Sequence, residues 1–300
     1  MTGPLSGVLA HRLAAGTPAV LVTVAAVRGS TPREAGAAMV VTADAVAGTV
    51  GGGRFEWEAV AAARRLIAAG HAAGEIAIPL GPEIGQCCGG HAVLRLERAT
   101  PAMVVRVGAG EAAERAARPA VVIFGAGHVG RALAQALSPL PFAVRLVDGR
   151  AEAFAGFAAA GVAVVTARRM TAEVAAAPAG AAYVIMTHSH ALDAVIALEV
   201  LQRGDFGYLG VIGSGTKRRR LLAAFRDHGV APVDLARVTC PIGAAAAVRD
   251  KRPAVIAAMT AAELLSVYCA GVPATSKVQM NSDSTRAAVS MSAGSAYSSG

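Results

Sequence analysis

The stretch Val121-Val122-Ile123-Phe124-Gly125-Ala126-Gly127-His128-Val129-Gly130 joins a short apolar run to a glycine-rich turn. The β-branched and aromatic residues of the run predict a buried strand, and residues 131–137 predict a helix behind the turn. A GxGxxG pattern by itself is a weak signal, but between a strand and a helix it is typical of a turn that binds nucleotide phosphates. The stretch therefore predicts a Rossmann-type domain with three candidate ligand contacts: Gly125, Gly127 and Gly130.

The next apolar run supports this interpretation. Residues 143–147 predict a second strand, which ends at Asp148, at about the distance along the chain where such domains place an acid on a ribose hydroxyl. Arg150 follows two residues later, where its guanidinium group would contact a phosphate instead. Asp148 is thus a candidate ribose contact, and Arg150 is the alternative ligand contact.

Strands continue to alternate with helices, at residues 162–165, 183–186 and 208–212. This alternation predicts a parallel sheet, in which ligands bind beyond the carboxyl ends of the strands. Four residues at such ends are candidate binding residues: His188, His190, Gly213 and Ser214. With Asp193, the two histidines suit a metal or acid–base role. Their spacing is a weak indication of a metal site, so a polar contact to a ligand or partner domain is the preferred interpretation.

The N-terminal half carries a second glycine-rich turn. Gly51, Gly52 and Gly53 precede a helix predicted over residues 55–69. Their amides form a candidate anion site at the positive end of the helix dipole. Trp57, the only tryptophan, is predicted to lie in the core.

A polar loop upstream of this turn carries two cationic side chains. Arg28, Ser30 and Arg33 lie between strands predicted at residues 20–24 and 38–41. Guanidinium and hydroxyl groups in such a loop suit a phosphate or a carboxylate. A plain hairpin with solvated arginines fits the spacing equally well.

Two adjacent thiols follow in the segment Gln86-Cys87-Cys88-Gly89-Gly90, just before a strand predicted at residues 91–96. Glycines on both sides let the backbone approach a ligand closely. Adjacent residues of an extended segment point to opposite faces, so one thiol can present sulfur while the other packs. Two small buried hydrophobes in a glycine turn are the alternative, and the glycine loop favours a reactive thiol.

The same segment resembles the signature of the XdhC/CoxI family, the accessory proteins of xanthine dehydrogenase and related molybdenum hydroxylases. Other similar blocks occur in the family's order from about residue 20 to residue 268. They are residues 29–36, 48–56, 125–130, 187–190, 208–214 and 240–243. The resemblance implies an α/β protein: a Rossmann-type parallel sheet in the C-terminal domain and a smaller α+β N-terminal domain.

The resemblance also implies a function as a chaperone and not as an enzyme. Such proteins bind molybdenum cofactor (molybdopterin), protect it while a cysteine desulfurase supplies sulfur, and insert it into the apo-hydroxylase. Cys87 and Cys88 would then contact molybdenum or relay sulfur, and Gln86, Gly89 and Gly90 would belong to the same cofactor site. Two-domain chaperones commonly dimerise, so a homodimer is an open alternative.

Two other functions remain open on the residues alone. One is an NAD(P)-dependent oxidoreductase that uses the Rossmann-type domain, with His188 or His190 as proton donor. The other is a scaffold that docks a hydroxylase to its sulfur donor without binding the cofactor.

Composition narrows the partners of the 300-residue chain. The net charge of +8 fits attraction for a small phosphorylated ligand, and with only 4% aromatic residues nucleic-acid binding is not expected. No apolar run reaches the roughly 20 residues of a membrane span, and the start lacks a secretory layout. Four cysteines without a disulfide framework fit a reducing compartment, so a cytoplasmic protein is expected.

Composition shifts also divide the chain. Residues 1–98 are expected to form the N-terminal domain and 119–273 the Rossmann-type domain. Residues 99–118 are expected to be a linker, with a short strand at 102–107. The serine- and alanine-rich residues 274–300 are predicted to be a disordered tail.

Overall fold

The computed structural model of the chain describes residues 3–80, 90–244 and 250–269. They fall into two compact units that divide between Glu114 and Arg115. The segment with Cys87 and Cys88 and the predicted tail lie outside the described residues.

The N-terminal unit is built on an antiparallel sheet in the order β3-β2-β1-β5-β4. Its strands are β1 (Val20–Arg28), β2 (Ala38–Val41), β3 (Val46–Gly48), β4 (Ala73–Leu80) and β5 (Gly90–Arg98). Its helices are α1 (Leu5–Ala14), α2 (Gly53–Ala68) and α3 (Pro101–Ala116).

Alternation along the strands decides which helix covers which face. Val22 and Val24 of β1 pack with Phe55 of α2 on one face of the sheet. On the other face, Leu21 packs with Leu9 of α1 and with the start of α3. The described part of this unit is therefore α+β, with helices on both faces of one antiparallel sheet.

Two sequence-based predictions in this unit are wrong. The strand predicted at residues 102–107, within the expected linker, is part of helix α3, which buries Met103 against the sheet. Trp57, predicted to be core, lies on the outer face of α2 and is 69% exposed. Helical periodicity places Phe55 and Ala59 inward, so Trp57, two residues from each, turns towards solvent.

The C-terminal unit is built on a parallel sheet in the order β11-β10-β9-β6-β7-β8. Its strands are β6 (Ala120–Phe124), β7 (Ala143–Asp148), β8 (Val162–Thr166), β9 (Ala182–Ile185), β10 (Tyr208–Val211) and β11 (Val238–Thr239). Its helices are α4 (His128–Leu137), α5 (Thr171–Ala176), α6 (His190–Arg203), α7 (Gly215–Asp227), α8 (Pro232–Ala236) and α9 (Pro253–Tyr268), with a 3₁₀ turn at Ala151–Phe154.

The strand order of this sheet shows where a ligand would be expected to bind. Counted from β6, it is the 3-2-1-4-5-6 order of dinucleotide-binding domains, and it reverses between β6 and β9. The central strands are apolar because both faces are covered: Tyr183 and Ile185 face one core cluster, and Ile123 and Val184 face the other. The predicted Rossmann-type α/β domain is confirmed. In the described ranges, no helix combines the length and the apolar character needed to cross a membrane.

Candidate functional site

The glycine turn after β6 is packed by backbone at two of its glycines and open at the third. A Cβ atom on Gly125, whose φ is 107°, would lie 2.4 Å from the Met186 carbonyl oxygen. One on Gly130 would lie 1.9 Å from the Gly125 carbonyl oxygen. Nothing lies within 4 Å of the Cβ position of Gly127, which is exposed and precedes α4 without a side-chain cap. A phosphate can therefore approach the start of α4 at Gly127.

Asp148, the predicted ribose contact, is engaged with its own unit. Its carboxylate is 1% exposed and accepts hydrogen bonds from the backbone N–H of Ala126 at 2.9 Å and of Arg150 at 3.0 Å. The Arg150 side chain donates two more, from Nε at 3.0 Å and Nη2 at 3.1 Å. Asp148 thus fixes both the glycine turn and Arg150.

The charge of this pair is stable at neutral pH. Burial raises the pKa of Asp148, but hydrogen bonds from Arg150 and Ala126 outweigh burial and hold that pKa below its usual value. The Asp148 carboxylate in turn raises the pKa of Arg150. Asp148 is therefore an anion whose partners lie within the chain.

A second buried carboxylate links the ends of β9 and β10. Asp193, fully buried, accepts hydrogen bonds from the Thr187 N–H at 2.9 Å and the Thr187 hydroxyl at 2.7 Å. It also pairs with Lys217 Nζ at 2.6 Å, and Lys217 donates to the Ile212 carbonyl at 2.8 Å. Asp193 therefore ties together the two loops that carry the predicted binding residues.

Those binding residues lie on the surface around this link. His188 and His190 are exposed, and His190 begins α6. Gly213 and Ser214 are exposed as well, and Ser214 caps α7 by accepting from the Lys217 N–H at 3.2 Å. The described part of the chain contains no group of three or more His, Cys, Asp or Glu residues that would hold a metal ion.

Cys240 lies behind the same loops and is buried. Its Sγ atom is 3.1 Å from the position that a Cβ on Gly213 would occupy. Burial raises the pKa of this thiol, although Lys217 and Arg218 partly offset that effect. Cys240 is thus a protonated, packed thiol at neutral pH.

In the N-terminal unit, the glycine turn before α2 is closed by a carboxylate. Glu56 accepts from the backbone N–H groups of Val50 at 3.0 Å and Gly52 at 3.2 Å, and from the Thr49 hydroxyl. The Gly51 N–H donates to the Thr49 hydroxyl at 3.1 Å. Burial raises the pKa of Glu56, and these hydrogen bonds outweigh it and lower that pKa overall. Of the three amides predicted to hold an exogenous anion, that of Gly52 donates to Glu56 and that of Gly51 to Thr49, while Gly53 is exposed at the first position of α2.

The polar loop with the two arginines lies against this turn. A Cβ on Gly51 would lie 2.6 Å from Pro32 Cβ and 3.4 Å from Arg33 Cγ. Arg28 and Arg33 are exposed, as is Ser30, and neither guanidinium group bonds to another residue of the described ranges. The structure therefore leaves both cations exposed, and Arg33 lies beside the glycine turn.

Gly90 connects this loop to the segment that carries the thiols. It begins β5 directly after residue 89, and a Cβ at Gly90 would lie 2.1 Å from the Ser30 carbonyl oxygen and 2.9 Å from that of Arg28. The chain thus emerges from the thiol segment in contact with the arginine loop. Gln86, Cys87, Cys88 and Gly89 themselves lie outside the described residues.

Sequence reasoning missed the residues that close these sites. They are Glu56, which accepts hydrogen bonds in the turn before α2, and Lys217, which pairs with Asp193. The one available signal was the run Lys217-Arg218-Arg219-Arg220 at a helix start, where positive charge requires a nearby anion. Asp193 is that anion for Lys217.

Comparison with known proteins identifies relatives for both units. The model of the XdhC Rossmann domain matches residues 121–264, and that of the XdhC and CoxI family matches residues 12–76, together about two thirds of the chain. The uncharacterized protein YqeB of Escherichia coli (strain K12) is 30% identical over 247 residues, which are 80% of this chain and 42% of that protein. The chain therefore spans less than half the length of this relative.

One solved structure shares the fold over nearly the whole chain. A crystal structure of a xanthine dehydrogenase from Bacillus halodurans superposes with a TM-score of 0.73 at 18% sequence identity. The match covers 92% of this chain and 98% of that chain. At this level of identity the likeness establishes the common fold.

Proposed function

The chain belongs to the XdhC/CoxI family, and on that premise we propose that it binds molybdenum cofactor, protects it during sulfuration, and inserts it into apo xanthine dehydrogenase or a related molybdenum hydroxylase. Membership of the family indicates a role in the maturation of xanthine dehydrogenase-type enzymes. Binding and insertion of the cofactor, as a cargo rather than a resident group, are the proposal.

The observation that carries it is the pair of exposed guanidinium groups, Arg28 and Arg33, on the stretch of chain that Gly90 contacts. Molybdenum cofactor bears a phosphate, and guanidinium forks match phosphate oxygens with charge-assisted hydrogen bonds. Arg28 is the last residue of β1 and Arg33 lies on the loop that follows it, and Gly90 packs against the backbone of Arg28 and Ser30. A cargo held by its phosphate at these arginines would have its other end within reach of the thiol segment.

The arginines suit the phosphate better than the neighbouring glycine turn does. The Gly52 amide already donates to Glu56, and a second anion there would meet the Glu56 carboxylate. Displacing that carboxylate would leave it without its hydrogen bonds and beside a like charge, which is unfavourable. We therefore assign the phosphate to the arginine loop and a structural role to Glu56.

The thiols would serve the metal end of the cargo. Thiolate is a soft ligand and suits a thiophilic centre such as molybdenum. Cys87 or Cys88 would contact molybdenum or relay sulfur, with Gln86 and Gly89 lining the same site. This part of the proposal comes from the sequence.

A loading assay tests the phosphate assignment. The full chain is incubated with cofactor released from a molybdenum hydroxylase and gel-filtered, and retained molybdenum and pterin are measured. Arg28→Ala with Arg33→Ala should lower retention about tenfold, as expected for lost hydrogen bonds to a charged group. Arg54→Ala is the matched control, because Arg54 is an exposed arginine of the same unit that pairs with Glu58. Equal retention by both variants would contradict the assignment.

The same assay addresses the thiols. Cys87→Ala and Cys88→Ala are compared with Cys269→Ala, which removes an exposed cysteine of the other unit. Reduced retention in one variant identifies the sulfur that contacts the cargo. Unchanged retention in both would remove the thiols from the site.

The proposed partners are the apo-hydroxylase, which receives the cofactor, and a cysteine desulfurase, which supplies the sulfur. The loaded chain should restore activity to an apo-hydroxylase, and the desulfurase should co-elute with the chain in gel filtration. A homodimer is a further proposal, tested by sedimentation equilibrium of the free chain.

A second candidate function is supported by the strand order of the C-terminal unit. That order, with the open glycine at Gly127, is typical of domains that bind NAD(P). An NAD(P)-dependent oxidoreductase would oxidise the reduced dinucleotide with a small carbonyl compound, and His188 or His190 would donate the proton. Absorbance at the reduced nicotinamide band tests this; turnover without cofactor retention would favour the enzyme over the chaperone.

A further inference from the structure

The carboxylate of Asp148, at the end of β7, is not free to bind a ligand. Asp148 stands where dinucleotide-binding domains place the acid that takes the ribose hydroxyls. Each of its two oxygens already accepts two hydrogen bonds, from Ala126 and Arg150. Since an ionised carboxylate offers about four lone-pair sites, none remains for a ribose diol.

Arg150, by contrast, retains donors that a ligand can use. A guanidinium group carries five N–H donors, and Arg150 directs two of them at Asp148. Its side chain is 46% exposed. Asp148 thus holds Arg150 in place while leaving its other donors accessible.

The neighbouring strand adds two more guanidinium groups at the same edge. β8 pairs with β7, and Arg168 and Arg169 follow its end, both exposed. The loops after the two strands are in contact, because a Cβ on Gly149 would lie 3.6 Å from the Ala167 carbonyl oxygen. The carboxylates that act on Arg150 are Asp148 and Glu152, and Glu173, which follows Arg169 by four residues, is paired with Arg145. Three guanidinium groups against two carboxylates leave the β7–β8 end with a net positive charge.

We propose that the C-terminal unit binds a nucleotide whose ribose carries a 2′-phosphate, with Arg150 as the residue that selects it over a nucleotide with a free ribose diol. The phosphate monoester pairs with Arg150, supported by the charge of Arg168 and Arg169. The rest of the ligand follows the edge of the sheet towards Gly127, where the turn is open. Asp148 acts as a positioning residue, since it orients Arg150 and fixes the Ala126 amide.

This inference does not rest on the chaperone function. It concerns the C-terminal unit and is measured with nucleotides, whereas cofactor retention concerns the N-terminal unit and is measured with molybdenum. Either can fail without the other.

Calorimetric titration of the full chain with 2′,5′-ADP and with 5′-AMP tests the proposal, because the two probes differ by the 2′-phosphate. We expect 2′,5′-ADP to bind about tenfold more tightly, as charge-assisted hydrogen bonds to a phosphate imply. Equal affinities, tighter binding of 5′-AMP, or no binding of either would overturn the proposal. So would inorganic phosphate that binds as tightly as 2′,5′-ADP, because the site would then be an unspecific anion site.

Single substitutions test which arginine gives the preference for the 2′-phosphate. Arg150→Gln should remove the preference for 2′,5′-ADP and leave the affinity for 5′-AMP unchanged. Arg220→Gln, an exposed arginine of α7 in the same unit, should keep the preference. A preference that survives Arg150→Gln would overturn the assignment.

A second variant decides the matter if Arg150→Gln does not fold. Replacing Arg168 and Arg169 together by Gln leaves every hydrogen bond of Asp148 intact. We expect it to reduce the preference about threefold by removing two nearby charges. An unchanged preference in that folded variant would contradict the proposal.

Discussion

The turns before α2 and α4 are both rich in glycine. They differ in how many of their backbone amides are occupied by a carboxylate of the chain itself. Glu56 accepts hydrogen bonds from the amides of its own turn and has no arginine among its partners. Its carboxylate therefore occupies the amide site before α2. Asp148 comes from the neighbouring strand, accepts a hydrogen bond from one amide of the glycine turn (that of Ala126), and is neutralised by Arg150, so Gly127 stays open before α4. The comparison teaches that glycines before a helix create an anion site only where no internal carboxylate reaches their amides.

The largest effect is expected where backbone packing requires glycine. Gly130→Ala would place a Cβ 1.9 Å from the Gly125 carbonyl oxygen, and we expect it to lower the free energy of unfolding by about 3 kcal/mol. Gly127→Ala, in the same turn with a φ of −73°, should change it by less than about 0.5 kcal/mol. Urea unfolding of both variants measures this. If they are equally stable, the turn is not packed as described.

The second largest effect on stability is expected to distinguish Asp148 from Glu56. Asp148→Ala leaves the buried Ala126 N–H without its acceptor and Arg150 without its partner, so we expect a loss of about 2–3 kcal/mol. Glu56→Ala should cost about 1 kcal/mol, because its turn is partly exposed and water can replace the carboxylate. Glu56→Ala should also create phosphate binding by freeing the Val50 and Gly52 amides, whereas Asp148→Ala should not. Phosphate binding by neither variant would show that the amides are not the anion site.

A smaller effect concerns pH. The pKa of Asp148 in the folded chain lies below its unfolded value of about 3.9, so its stabilisation is present above that pH and is lost as the pH falls through the folded pKa. The difference in unfolding free energy between the wild type and Asp148→Asn should therefore be largest near neutral pH and narrow below about pH 4. Urea unfolding of both proteins at neutral pH and below about pH 4 measures this difference. A gap that widens on acidification would contradict the sign.

The smallest effect is expected at Trp57, which provides the control for Glu56. Trp57 follows Glu56 on α2 but is 69% exposed, so Trp57→Ala should change the free energy of unfolding by less than about 0.5 kcal/mol. Acrylamide should quench its fluorescence nearly as well as that of free tryptophan. A loss comparable to that of Glu56→Ala would mean that α2 as a whole, and not the carboxylate, stabilises the turn.

Much of the fold could be predicted from local pattern, and the exceptions have physical reasons. Strands β1, β6 and β7 follow from apolar runs, and helix α2 follows from apolar residues at helical spacing. Strand β4 was missed because Pro79 and alternating small residues weaken the signal. A proline is tolerated there because β4 lies at the edge of its sheet.

The candidate sites were less predictable than the fold. The sequence predicted Asp148 as a ligand contact from its place at the end of a strand, and the structure places it as the last residue of β7. Only the structure shows both of its oxygens engaged by Ala126 and Arg150. Hydrogen-bond saturation is a property of the assembled site and leaves no mark in spacing.

The sequence by itself determined the Rossmann-type domain, the family, and the positions where polar residues end the strands. These follow from short-range patterns, because the period of apolar residues and the glycines of a turn are set by neighbours along the chain. Tertiary structure alone decided that Glu56 fills one amide site, that Arg150 replaces a free acid at the other, and that Lys217 pairs with Asp193. Those outcomes depend on which charged groups meet in space, and a charge removed from water must find its partner wherever the fold brings one.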